Sequence, residues 1–325
     1  MFGETFKNFN ISFAALNERN TLTSGDVLTG NISFDLTSET NVNSIIMTLT
    51  GAANVHWTVS KRVNNHRSRG RNRRTQTRHY SAKLDFFNLK NIIAQLHSGT
   101  DGTAKLPPGR HVYPFACQIP QGDFPPTFHG VHGKIVYSMT VSIDRPWHLS
   151  KDFVTELNFV NRINTNQPEL QIPLSGTNSK TLCCLWCASG PITLTVTLEK
   201  KAFVPGETVR IIGVFSNGSS RTATPKAKLQ QKQVVYTHNK AHHKMVQKSL
   251  MFVTGQPVSA HISDMHTEMM LTIPNTTPLT ISNCSILKVD YTIEVSLSVR
   301  ASSDLKVLFP IILCDTPVQS LSSTY

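Results

Sequence analysis

Between positions 288 and 300 the chain alternates with a period of two. Val289, Tyr291, Ile293, Val295, Leu297 and Val299 are interleaved with Lys288, Asp290, Thr292, Glu294, Ser296 and Ser298. Successive side chains of a β-strand point to opposite faces, so this pattern gives a strand one apolar and one polar face. A helix of 3.6 residues per turn would scatter the same six apolar residues around its axis. The pattern recurs at 192–199, where Ile192, Leu194, Val196 and Leu198 alternate with threonines and Glu199. It appears again at 134–143 through Ile135, Tyr137, Met139, Val141 and Ile143. Period-two patterning over such lengths predicts antiparallel sheets with one face on a core and the other in water. Further strands are expected near 8–16, 26–36, 43–60, 79–90, 110–119, 152–161, 207–216, 226–236, 246–254, 265–273 and 305–313. No long amphipathic helix is legible. The predicted fold class is all-β.

A chain of 325 residues suggests two domains at about 150 residues each. The stretch 161–190 is polar and rich in turn formers (Asn164, Asn166, Pro168, Pro173, Gly176, Asn178) and ends at Gly190-Pro191. The expected organisation is therefore an N-terminal β-sandwich over 1–160, a linker with a cysteine cluster over 161–190, a C-terminal β-sandwich over 191–313 and a short tail at 314–325. The halves also share landmarks in the same order. Ser24-Gly25-Asp26 corresponds to Pro205-Gly206-Glu207 at an offset of 181, and Lys134-Ile135-Val136-Tyr137 to Lys288-Val289-Asp290-Tyr291 at an offset of 154. Two similar sandwiches in tandem, the first with longer loops, explain both offsets.

The formal net charge is +12, and it is concentrated. Segment 61–79 holds Lys61, Arg62, Arg67, Arg69, Arg71, Arg73, Arg74 and Arg78 with no acid among them, leaving +4 for the rest of the chain. A block of like charge repels itself and has nothing apolar to bury, so a mobile hairpin loop between strands at 43–60 and 79–90 is expected. The corresponding hairpin of the second half, at 237–244, is shorter and also basic. Guanidinium forks suit phosphorylated protein, and clustered cations suit anionic lipid headgroups. RNA ranks last, because 61–79 contains no aromatic residue on which bases could stack and only Tyr80 flanks it. A β-protein that binds nucleic acid or anionic membrane without sorting cargo is the alternative function. A solvated loop that only aids solubility is the plain one.

The six cysteines are sparse, and Cys183, Cys184 and Cys187 crowd together in a way that suits neither a disulfide framework nor paired zinc ligands. They read as reduced thiols or as candidates for reversible S-acylation. No apolar run of about 18 residues is available for a membrane span. The opening residues, with an early Glu4, do not resemble a secretory signal, and Phe2 excludes N-myristoylation. A cytoplasmic chain is expected. There is no G-x-S-x-G, H-E-x-x-H, P-loop or G-x-G-x-x-G. His238 and His242 have metal-like spacing on a helix, but their segment reads as a hairpin loop, and His129 with His132 lacks a nearby acid in a metal-like arrangement. No enzyme, no metal and no cofactor are expected.

The stretch 105–147 is more specific. Leu106-Pro107-Pro108-Gly109, Tyr113-Pro114-Phe115, Ile119-Pro120, Phe124-Pro125-Pro126-Thr127-Phe128, Gly133-Lys134-Ile135-Val136-Tyr137 and Ile143-Asp144-Arg145-Pro146-Trp147 closely resemble the alpha-arrestins, the arrestin domain-containing proteins of animals. Further matches lie at Thr181-Leu182-Cys183-Cys184, Ser189-Gly190-Pro191-Ile192, Phe203-Val204-Pro205-Gly206-Glu207 and 283–291. The resemblance runs over nearly the whole chain. It implies an arrestin fold and an adaptor role in protein transport. Such a protein contacts membrane receptors or transporters, directs their ubiquitination, endocytosis and endosomal sorting, and is recruited from the cytoplasm to plasma membrane or endosomes. Many members engage ubiquitin ligases through Pro-Pro-x-Tyr. Here neither Pro107-Pro108 nor Pro125-Pro126 is followed by Tyr two places on, so recruitment by that motif is not expected. A thioredoxin-interacting branch uses a reactive Cys upstream of a Cys-x-x-Leu-x-Val strand. The region preceding Cys284 offers Asp264, Met265 and His266 but no Cys, so a redox partnership is not expected either.

Overall fold

The alternation at 134–143 becomes a pleat whose every apolar member is buried: Ile135, Tyr137, Met139, Val141 and Ile143. A computed structural model describes residues 5–14, 17, 19–64, 73–96, 104–184, 187–300 and 302–318. The chain forms two compact units. One gathers residues 1–161, 236–242 and 283–286, and the other 162–235, 243–282 and 287–325.

The first unit is built from β1 (Phe6–Phe13), β2 (Val27–Leu36), β3 (Thr40–Val42), β4 (Ser44–Asn64), β5 (Arg73–Gln95), β6 (Ala104–Leu106), β7 (Gly109–Gln118), β8 (Phe128–His129), β9 (Gly133–Asp144) and β10 (Lys151–Leu157). One sheet has the order β1-β2-β7. A second runs β10-β9-β4-β5 with β8 beside β9, and β3 pairs β6. Leu28, Ile32 and Phe34 of β2 and Ile45, Met47, Leu49 and Trp57 of β4 supply the core. The second unit begins with the short helix α1 (Pro168–Gln171). It continues through β11 (Leu174–Cys184), β12 (Cys187–Leu198), β13 (Ala202–Phe203), β14 (Thr208–Asn217), β15 (Ala223–Tyr236), β16 (His243–Thr254), β17 (Ile262–Thr272), β18 (Leu287–Val299) and β19 (Leu305–Leu313). Its sheets are β11-β12-β14-β17 and β13-β19-β18-β15-β16. The named strands pair antiparallel except β13 with β19. The all-β expectation and the tandem sandwiches are borne out.

The landmarks shared by the halves turn out to be the same two devices. At the first, Gly25 and Gly206 hold φ of +83° and +90°, a conformation that glycine adopts without a Cβ penalty. The acid after each glycine folds back onto the turn. Thr23 N–H donates to Asp26 Oδ2 at 2.8 Å, and Val204 N–H to Glu207 Oε2 at 2.9 Å. At the second, the buried hydroxyls of Tyr137 and Tyr291 donate to the carbonyls of Pro125 and Pro278, each at 2.6 Å.

Three expectations are corrected. The segment 61–79 is not a loop throughout. The β4–β5 ladder continues through Val59 with Arg78, Lys61 with Gln76, Arg62 with Thr75, Val63 with Arg74 and Asn64 with Arg73. Charge repulsion did not end the strands, because a two-stranded ribbon leaves charged side chains in water while its backbone groups pair. Within 161–190, residues 174–184 form β11, paired with β12 from Leu174–Leu198 to Cys184–Cys187. Gly176 and Asn178 read as turn formers, yet the neighbouring Ser175 and Thr177 hydroxyls meet those of Thr197 and Thr195 across the ladder at 2.8 and 3.1 Å. The polar face of β18, expected wet, is buried at Glu294 and Ser296. β18 lies between β15 and β19, and Lys228 and Lys306 from those neighbours reach Glu294 at 3.1 and 3.0 Å.

Candidate anion-binding site

The basic hairpin begins where β9 stops. The last β4–β9 pair is Val55 with Gly133, and beyond it β4 continues with β5 alone. From Val55 to Asn64 that ribbon extends about 30 Å at roughly 3.3 Å per residue. Cross-strand pairs stiffen its base. The rings of Trp57 and Tyr80 stack at 5.3 Å and those of His56 and His79 at 6.0 Å. The hydroxyls of Ser60 and Thr77 lie 3.1 Å apart. Trp57 is buried against the core, so the ribbon is tied to the sandwich through its aromatic row.

Above that row the ribbon turns cationic. Lys61 and Arg78 have exposed side chains, and among the described residues neither forms an ion pair. Arg62, Arg73 and Arg74 lie in the ladder at the positions given above. Arg67, Arg69 and Arg71 lie outside the described residues.

Below the row, the same end of the sheet holds a groove of about 750 Å³ in the first unit. His56, Lys83, His129, His132 and Lys134 line it, and its described lining contains no carboxylate. Two nearby acids are already engaged, Asp85 by Lys83 at 2.8 Å and Glu156 by His129 at 2.6 Å. The groove and the exposed Lys61 and Arg78 of the ribbon thus lie at the same end of the sheet, with Lys134 the groove cation that has no acidic partner among the described residues. The groove was not legible in the sequence, because Lys83, His132 and Lys134 are brought to His56 only by the register of β4 with β5 and β9.

Cys183 and Cys184 end β11 and Cys187 opens β12, with Cys184 and Cys187 paired in the ladder. Their side chains lie outside the described residues. Cys117, Cys284 and Cys314 are buried and free of disulfides. Burial pushes the thiols of Cys117 and Cys314 up to about 11. Among the described residues no group of three or more His, Cys, Asp and Glu is arranged to hold a metal ion, and no helix is long and apolar enough to cross a membrane.

Two sandwiches in series, with cations gathered on one ribbon and the groove at its foot, define a scaffold for macromolecular contact. Its family follows from comparison with known proteins. The N-terminal domain of arrestin (or S-antigen) matches residues 9–166 and the C-terminal domain matches residues 188–318. The chain belongs to the arrestin family, in its arrestin domain-containing branch. It is similar to arrestin domain-containing protein 4 of Mus musculus, 30% identical over 237 residues, which is 73% of this chain and 56% of that protein. The human protein of the same name is 28% identical over 242 residues, 74% and 57% of the two chains. Thioredoxin-interacting protein of Mus musculus is 23% identical over 294 residues, 89% and 69%. The chain thus spans a little over half the length of the arrestin domain-containing protein 4 sequences it matches.

Proposed function

We propose that this chain is a non-enzymatic adaptor in protein transport. It grips membrane receptors or transporters and directs their ubiquitination, endocytosis and endosomal sorting, from the cytoplasm to plasma membrane or endosomes. The observation that carries the reading is the pair of arrestin domains in order along the chain, the first bearing a cationic ribbon with a carboxylate-free groove at its foot. Arg62, Arg67, Arg69, Arg71, Arg73, Arg74 and Arg78 contact phosphorylated segments of the cargo through guanidinium forks, and Lys61 through its ammonium group. Two contacts in one scaffold, one to cargo and one to sorting machinery, raise effective concentration without new chemistry. The 325 residues contain no Pro-Pro-x-Tyr, so within them a ubiquitin ligase is not recruited through that motif. Reversible S-acylation of Cys183, Cys184 and Cys187 would add a membrane anchor. The thioredoxin partnership in the name of one relative is not carried over to this chain, whose described thiols are buried.

The test replaces Arg69, Arg71, Arg73 and Arg74 with Gln and measures binding to phosphorylated and unphosphorylated cargo-tail peptides at two salt concentrations. A hydrogen bond to a charged group contributes about 1.5–3 kcal/mol, and about 1.4 kcal/mol is tenfold. Loss of at least tenfold for the phosphopeptide is expected, with a flatter salt dependence. Unchanged binding would sink the anion contact. Proximity labelling in cells then separates the adaptor, which recovers receptors and endosomal proteins, from a nucleic-acid binder, which recovers ribonucleoprotein.

A further inference from the structure

The first unit has a second exposed feature, at the other end of its larger sheet. β9 and β10 are joined by a turn at 146–149 whose side chains project into solvent. Trp147 is 100% exposed and Leu149 is 92% exposed. Trp147 also holds φ of +62°, a left-handed conformation costly for a bulky residue. The turn is braced on its polar side. Asn43 Nδ2 donates to Asp144 Oδ2 at 3.1 Å, Ser150 Oγ to Asp144 Oδ1 at 3.4 Å, and His148 N–H to the Arg145 carbonyl at 3.4 Å. The Arg145 guanidinium sits 5.3 Å from the Phe6 ring centroid. A rigid base therefore presents an indole and an isobutyl group that touch nothing, and the indole N–H has no hydrogen-bond partner among the described residues.

We propose that the 146–149 turn is an insertion tip for the interfacial layer of a lipid bilayer. Indole combines a large apolar body with one N–H donor, which matches the boundary where acyl chains meet headgroups. The size of the patch favours lipid over a protein pocket. A stable protein interface buries about 800 Å² per partner, whereas an aromatic side chain buries about 150–250 Å². Two side chains on a convex tip cannot supply that area, but a bilayer needs no complementary shape. Charge does not drive the contact, since Arg145 and Lys151 are matched by Asp144 and Asp152. Ser44 pairs with Asp144 at this end of the sheet, and Asn64 pairs with Arg73 at the other. The twenty residues between them place the tip roughly 65 Å from the end of the basic ladder.

The experiment uses the full chain with phosphatidylcholine vesicles carrying brominated acyl chains, at low and at 0.5 M salt. Trp147 should blue-shift and be quenched in both. Trp147→Asn, which keeps a residue tolerant of the left-handed turn, should remove that quenching and weaken vesicle partition at least tenfold. Leu149→Ser should weaken partition with Trp147 still present. Both variants should keep the wild-type unfolding midpoint, because each removes an exposed side chain. The four-residue Arg→Gln variant should lose phosphopeptide binding and retain Trp147 quenching, so the two sites fail independently. Emission unchanged by vesicles, quenching that survives Trp147→Asn, or association confined to low salt would each overturn the proposal.

Discussion

Glu294 shows how single residues depart from their sequence pattern. It occupies a polar slot of β18 yet is buried. Desolvation alone would raise its carboxyl, but hydrogen bonds and charge from Lys306 and Lys228 outweigh that and hold it below the usual glutamate range. A carboxyl lowered in the folded state contributes stability in full above its unfolded value of about 4.3. That contribution is lost as pH falls through the folded value, because the unfolded chain takes up the proton first. Wild type should therefore lose more of its melting temperature between pH 5 and pH 3 than Glu294→Gln, as scanning calorimetry of both proteins would show. Equal slopes would mean the lysines do not stabilise the ionised form. The cysteines make a second residue-scale expectation. With burial holding Cys117 and Cys314 near 11, neither should be alkylated in the native protein at pH 7.5, and both should label in denaturant. Mass spectrometry of the native protein with label on either would contradict their burial.

At the scale of elements, the β4–β5 ribbon decides how the basic residues are presented. The sequence suggested a loop because eight cations without an acid lack an apolar face, but a ladder needs only backbone pairing and solvent for its side chains. Hydrogen exchange separates the two pictures. Protection should be strongest up to Val55, where β9 still flanks β4, and decline gradually through Ser60 and Lys61 toward the ribbon end. A free loop would exchange at once from residue 61 onward. β11 was missed for a related reason. Ser175, Gly176, Thr177, Asn178 and Ser179 have turn composition, and only pairing with β12 shows that the segment is an edge strand. The strands with strict alternation, β9, β12 and β18, were legible because a single buried face filters their residues at every second position.

The whole molecule repeats its devices. Tyr137 and Tyr291 are buried and bonded to proline carbonyls upstream. In each Tyr→Phe variant a buried carbonyl loses its partner, at a cost of about 1–3 kcal/mol. The Tyr291 hydroxyl also accepts from the buried Gln231 amide at 2.6 Å, so both variants should lower the denaturant midpoint with unchanged slope, Tyr291→Phe by more than Tyr137→Phe. No loss in Tyr137→Phe would show that the proline-carbonyl bond does not stabilise the first half. The sequence by itself determined the strand class, the tandem repeat and the address of the positive charge, because periodicity, turn glycines and charge are local properties. Tertiary structure alone decided which polar residues could be buried, that the described part of the basic segment is a ribbon with a groove at its foot, and that Trp147 stands free of any core. Those depend on strand register and on what lies across the sheet, which bring together residues far apart in the chain and leave no local signal.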